Sequence, residues 1–277
     1  MVSMPLPLPL VDHVVVSLRD QLDAGAATYR RLGFSLTPRG YHTLGSMNHL
    51  AVFGTDYLEL LAAPAGSARR EIADAPIGLG ALVFATRDAD ATHAAVTASG
   101  VPVLAPQAFS RPVEIDGVPR AAAFRTVRLP VDTAPAGRFY FCEHATPELV
   151  WRDAWRAHPN AVTGIARVVI AAADPGALGA LFARMFGDAM VYGEADGYVL
   201  TLGLATCEIR TPAVVRAGYG NLAAGRGDFM AALVLRSASL ERTAAALAAG
   251  GVAVMRVGGR ILVPAEAACG VTLVFEA

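Results

Sequence analysis

Histidines, carboxylates and arginines in this chain sit inside runs that read as β-strands, where groups distant in sequence are easily brought to one point. His13 lies in DHVVVSLRD, Glu59 in DYLELL, and Glu143 with His144 closes FYFCEH. Imidazole and carboxylate groups on neighbouring strands can converge and there exchange protons or hold a cation. Successive strand residues face opposite ways, so only one of Glu143 and His144 can point inward. The stretch YHTLGSMNHL adds His42, Asn48 and His49 around the turn residues Gly45 and Ser46. Arg125 and Arg128 are three apart in a strand-like run, hence on opposite faces, so at most one enters a cleft. Arg125, flanked by Phe124, is the candidate anion clamp, because a guanidinium binds carboxylate bidentately.

Positioning such groups takes a scaffold, and the chain repeats one. A pattern of strand, helix and further strands recurs four times with a period of about 70 residues. In the first unit residues 11–18 are a β-branched run, 22–32 carry apolar residues at helical spacing, Gly33 stops the helix, and 35–41, 49–54 and 56–61 read as strands. The second has strand 80–86, helix 89–99, and strands 105–115, 121–129 and 138–144, with the hairpin marker Asp116-Gly117 between two of them. The third has strand 166–172, a helix over 175–186 started by Asp174 and Pro175, and strands 190–192, 197–202 and 205–210. The fourth has strand 229–236, helix 240–249 and strands 253–257, 260–263 and 270–276. His13 precedes the helix stop Gly33 by 20 residues and Arg167 precedes Gly187 by 20, so units one and three align without a gap. Residues 143–162 interrupt the repeat. A short helix is expected there around 147–155, with Trp151 and Trp155 packing across the junction of the two halves and residues 152–163 cut first in limited proteolysis.

Composition removes several function classes. Lys+Arg 23 against Asp+Glu 24, with no basic block, argues against nucleic acid as a partner. The longest uncharged stretches are broken by Gly, Pro or Ser, so no membrane-spanning helix is expected. The opening MVSMPLPLPL lacks a basic n-region and alternates Pro with Leu, which reads as an extended lead-in rather than a signal peptide and makes a cytoplasmic location the expectation. Cys142, Cys207 and Cys269 are far apart and odd in number, which points to buried, reduced thiols. No Gly-rich phosphate loop and no G-x-S-x-G elbow is present, so nucleotide cofactors and serine hydrolysis lose support.

Four tandem βαβββ units with DHVVVSLRD, YRRLGF and DYLELL in the first resemble the vicinal oxygen chelate superfamily and, within it, the glyoxalase-like domain proteins. The resemblance implies that units pair into open barrels whose concave face holds a divalent metal, with ligands on the first and last strands of each unit. His13 and Glu59 fill both positions of unit one. In unit two the first-strand position falls on Ala81 and that ligand is absent, while Glu143 or His144 would be the third ligand or the general base. Such a set suits Zn, Mn, Fe(II) or Ni. The resemblance also makes His42 and Asn48 the pair that orients a substrate. Arg167 and an alanine near Ala231 or Ala232 replace the first-strand ligands of the second barrel, leaving Glu208 to form a buried ion pair with Arg167.

The expectation is therefore an α+β fold of two tandem vicinal-oxygen-chelate-type open barrels: an N-terminal one over 1–150, a connector over 151–163, and a degenerate C-terminal one over 164–277. The expected function is a metal-dependent lyase, isomerase or dioxygenase acting on a small vicinal-oxygen substrate in the N-terminal cleft. The rival is a metal-free protein of the same fold that binds or sequesters a small molecule. The alanine-rich fourth unit suits a structural or homodimer-forming role.

Overall fold

β-Branched runs become the central strands and alanine-rich runs the helices, because each buries one face against the other. The computed structural model describes residues 5–115, 117–220 and 227–277. The first unit is β1 (Val11–Ser17), α1 (Leu22–Arg31), β2 (Gly40–Tyr41), β3 (Met47–Val52) and β4 (Tyr57–Ala62), followed by the single turn α2 (Arg70–Ala73). The second is β5 (Gly78–Thr86), α3 (Ala89–Ala98), β6 (Gln107–Ile115), β7 (Val118–Arg128) and β8 (Arg138–His144). The third is β9 (Val162–Ala171), α4 (Pro175–Phe186), β10 (Val191–Glu194), β11 (Gly197–Leu202) and β12 (Ala205–Arg210), followed by α5 (Pro212–Tyr219). The fourth is β13 (Phe229–Ser237), α6 (Leu240–Ala249), β14 (Met255–Val257), β15 (Arg260–Val263) and β16 (Thr272–Glu276).

The strands form two eight-stranded sheets, β2-β3-β4-β1-β5-β8-β7-β6 and β10-β11-β12-β9-β13-β16-β15-β14, with the same order and sense. This is the expected α+β architecture of two tandem open barrels. His13 stands opposite Tyr57 of β4 and Val83 of β5, and Arg167 stands opposite Thr206 of β12 and Val234 of β13. The two first-strand positions matched by spacing are therefore matched in space. The first sheet curls until its edges meet, where the Thr43 backbone N–H just beyond β2 donates to the Ser110 carbonyl of β6 at 2.8 Å.

The two sheets share one core. Phe84 of β5 packs edge-on against Phe186 of α4 with ring centroids 4.8 Å apart, and Phe139 and Phe84 both meet Phe182. In the other direction Phe34 of unit one meets Phe275 of β16. Apolar area is thus buried between the halves as well as within each.

The connector departs from expectation. It holds two 3₁₀ turns, Pro147–Leu149 and Asp153–Trp155, instead of one helix. Two residues beyond it are buried and stapled: His158 Nδ1 accepts from the Ser35 N–H, His158 Nε2 donates to the Val52 carbonyl, and Asn160 Nδ2 donates to the Leu32 carbonyl. His158 and Asn160–Val162 are consequently poor cleavage points, while Asp153, Ala154, Arg156 and Ala157 within the same segment are exposed. Trp151 and Trp155 pack on the concave face of the first sheet, not across the junction. Strand pairing covers only Gly40–Tyr41 of the expected 35–41, and the repeat pattern does not call for α2 or α5. Asp116 of the hairpin marker and residues 1–4 of the lead-in lie outside the described residues. Among the described residues no helix is long and apolar enough to cross a membrane.

Candidate functional site

A cleft opens in the concave face of the first sheet, lined from β1 by His13, from β3 and the turn before it by His42, Ser46 and Asn48, from β4 by Glu59, and from β8 by Tyr140 and Cys142. β1 runs at the centre of the sheet, parallel to β4 and antiparallel to β5, and its alternation sends Val14 and Val16 into the shared core while His13 and Val15 face the cleft. The pairing with β5 slips between Val11 and His13, leaving Asp12 as an extra residue. Such a bulge re-aims a side chain. Here it turns the Asp12 carboxylate onto His13 Nδ1 at 2.5 Å and onto His144 Nε2 at 3.1 Å.

The polar groups form one connected chain. Burial pushes the Asp12 carboxyl up, but the His144 charge and the hydrogen bonds from His13 and His144 outweigh it and hold the group well below the usual carboxylate range. An ionised Asp12 only accepts, so His13 presents Nδ1–H to it and aims Nε2 at the cleft. Nε2 lies 3.4 Å from the Tyr140 hydroxyl and 3.6 Å from Glu59 Oε2, the latter too long for a direct hydrogen bond. Glu59 Oε1 accepts from Asn48 Nδ2 at 2.6 Å, and the same amide nitrogen faces His42 Nε2 at 3.2 Å. Burial lowers the His42 pKa to about 4, so its neutral ring accepts at Nε2 and donates from Nδ1 to Ser46 Oγ. Burial, then Glu59, pushes Tyr140 well above its usual range, which keeps its O–H as a donor. One Glu59 oxygen is thus fixed and the other is left facing the cleft.

Of the residues expected at the site, His13, Glu59, His42 and Asn48 come together. Glu143 does not: β8 alternation turns it outward, where it accepts from the Ala89 N–H at the start of α3 at 3.0 Å. Arg125 is also outside, bonded to the exposed Asp90 at 2.7 Å and 3.6 Å from Glu143. Arg128, on the opposite face of β7, lines the cleft instead. His144 has the inward parity but is walled in, with its ring 4.4 Å from that of Trp151. His49 is buried on the far side of β3 and bonds the Thr37 carbonyl. Sequence reasoning passed over Asp12, Tyr140 and Arg111. The alternation Phe109, Arg111, Val113, counted from the hairpin, is the signal that places Arg111 inward with its neighbours.

The superfamily's metal can be tested against these donors. His13 and Glu59 are two ligands, and the β5 positions that would supply another carry Ala81 and Val83, which have none. Open catalytic sites hold Zn or Fe(II) with three protein ligands, so this set does not fit that pattern. A different group exists at the edge of the cleft. Ligand atoms of Asp12, Cys142 and His144 lie within 4.8 Å of one another and are a possible metal-binding group. Burial, then the Asp12 and Glu59 charges, raises the Cys142 thiol well above its usual range, so an ion there would have to displace a proton.

In the second sheet the same positions hold an ion pair. Arg167 Nε reaches Glu208 Oε1 at 3.1 Å, Glu276 lies 3.4 Å from Arg167 Nη2, and the Tyr219 hydroxyl of α5 accepts from Nη1. The expected ion pair is present, about a quarter exposed rather than buried, with side-chain exposures of 24% and 21%. Val215 and Tyr219 of α5 fill the concave face against Val169, Val234 and Val274.

The glyoxalase-like domain family matches residues 11–186. No curated protein matches the chain in sequence. Among solved structures the chain is similar to a hypothetical protein from Staphylococcus aureus at 15% identity, covering 96% of this chain and 98% of that one with a TM-score of 0.67. It is also similar to a substituted 4-hydroxymandelate synthase from Streptomyces coelicolor at 12% identity, covering 98% and 92% with a TM-score of 0.60. A xylose isomerase-like TIM barrel/4-hydroxyphenylpyruvate dioxygenase fusion protein aligns at 16% identity over 92% of this chain and 41% of its own length, with a TM-score of 0.60. At these identities the likenesses carry the fold.

Proposed function

We propose, from the premise that this chain belongs to the glyoxalase-like domain family, that it is an enzyme moving a proton at a carbon beside a carbonyl of a small vicinal-oxygen compound. The observation that carries the reading is Glu59: Asn48 holds one oxygen and the other faces His13 Nε2 and the cleft, while the matched Glu208 is neutralised by Arg167. In this reading Glu59 takes the proton from carbon as general base. The Tyr140 O–H stabilises the oxygen on which charge develops, and a donor set in place before reaction acts most strongly in a site shielded from water. Asn48, set by His42, orients Glu59 rather than reacting. Glu143 has no part, and no step runs through a metal at His13 and Glu59. The free thiols Cys142, Cys207 and Cys269 accord with a reducing, cytoplasmic setting.

A metal-dependent reading, with the ion at Asp12, Cys142 and His144, is favoured by the spacing of those three ligands. The test covers both. Neutral and anionic compounds bearing adjacent oxygens are incubated with chelator-treated protein in heavy water, with and without Zn, Mn, Fe(II), Co or Ni, and carbon-bound deuterium is followed by NMR. Exchange without metal, lost in Glu59→Gln, is the expected result. Exchange only with metal, lost in His144→Ala, would replace the first reading by the second. Ligand binding with neither exchange nor turnover would make the protein a small-molecule binder.

A further inference from the structure

Among the described residues four arginines, Arg69, Arg111, Arg128 and Arg138, line the cleft, against the single carboxylate Glu59. Arg69 is neutralised by Glu71 at 2.5 Å. The other three bring more positive charge than Glu59 can offset. Arg111 of β6 is 2% exposed, and its Nη2 is buried without a hydrogen-bond partner among the described residues. Arg128 Nε and Arg138 Nη2 are likewise buried and unsatisfied, although Arg128 Nη2 donates to Gln107. A guanidinium stays charged and offers five donors in a planar fork. Burying it without an anion is among the costliest arrangements in a protein interior, and it persists where a ligand supplies the missing charge.

The fold is shaped around this group. A Cβ on Gly40 would come within 2.9 Å of Arg111 Cδ, 3.0 Å of its Nη1 and 2.4 Å of Asn48 Oδ1, so the glycine on β2 leaves room for both side chains. Arg111, Arg128 and Arg138 come from β6, β7 and β8 of unit two, whereas His13 and Glu59 come from β1 and β4 of unit one. One half of the sheet carries unpaired cationic donors, and the other carries the proton-transfer groups.

We infer that Arg111, with Arg128 and Arg138, is an oxyanion anchor, and that the ligand of this cleft is a small organic anion. Its carboxylate or phosphate sits on the Arg111 fork and its opposite end projects toward Glu59. The inference rests on the proposed use of this cleft and narrows its substrate class. Arg125, the clamp expected from sequence, lies on the outer face and takes no part.

The test is binding, measured apart from turnover. The full chain is titrated with inorganic phosphate, acetate and neutral acetamide at constant ionic strength, by calorimetry and thermal melting. At least one of the two anions should bind and raise the melting midpoint, the tighter one identifying the headgroup, and acetamide should do neither. Arg111→Gln should weaken binding at least 10-fold, with Arg128→Gln as the second variant should the first fail to fold. Arg125→Gln should leave binding unchanged, and Glu59→Gln should retain or strengthen it while removing deuterium exchange. Anion binding that survives Arg111→Gln and Arg128→Gln, or no anion binding by the parent, would overturn the anchor. Anion binding in a parent that exchanges no deuterium would overturn the catalytic reading and leave the anchor standing.

Discussion

The two barrels have the same strand order and register, and at matched positions one carries His13 and Glu59 where the other carries Arg167 and Glu208. In the first, the glutamate is held by an uncharged amide and keeps an oxygen facing the cleft. In the second it is neutralised, and Val215 and Tyr219 of α5 occupy the concave face. The short turn α2 follows unit one where the eight-residue α5 follows unit three, and α2 contributes Ile72 and the partly buried Ala73 to the first concave cluster. A repeated scaffold therefore becomes a cleft or a filled core according to the segment after its first unit and one first-strand residue.

The largest expected effect addresses whether the barrels are separable. Phe182→Ala removes a fully buried ring of α4 that touches Phe84 and Phe139 of the other sheet, and should cost about 3–5 kcal/mol. Denaturant unfolding followed by near-UV signal and by calorimetry should still show one transition, and two transitions would mean that the shared core does not couple the halves. Next comes the chemical contrast: Glu59→Gln should slow deuterium exchange by about 100-fold or more, whereas Glu208→Gln should leave it unchanged. Equal losses would show that the barrels do not differ as described.

A pH series sharpens the comparison, because all six histidines precede β9. Burial lowers His42 to about 4 in the folded protein, against about 6.5 unfolded. Above pH 6.5 both states are neutral there and stability is complete; as pH falls from 6.5 to 4 the unfolded chain takes up the proton first, so stability declines by about 3 kcal/mol. His158, also lowered by burial, acts in the same direction. Urea midpoints across this range should flatten in His42→Gln, and an unchanged slope would remove His42 from the cause. The smallest effect is Arg167→Ala, about 1 kcal/mol by urea titration, because the pair is partly exposed. A loss above about 3 kcal/mol would mean that the second barrel buries its charges as fully as the first.

The four-fold repeat, the helix stops and the matched positions of His13 and Glu59 were all legible in the chain, because strand and helix periodicity with glycine punctuation are local properties. Alternation also made clear that Glu143 and His144 could not both face inward, and that Arg125 and Arg128 could not. Which of each pair did so depended on the absolute phase of β7 and β8 against the cleft, set by cross-strand register. Asp12 reached the site only through a bulge in the β1 pairing with β5, a feature of two strands together. Arg111 looks like an ordinary edge-strand arginine until the curled sheet closes over it. The sequence by itself determined the element order, the fold and the matched positions of His13 and Glu59; tertiary structure decided which charges meet a partner, since burial and distance between remote strands govern whether a charge is neutralised, masked or left for a ligand.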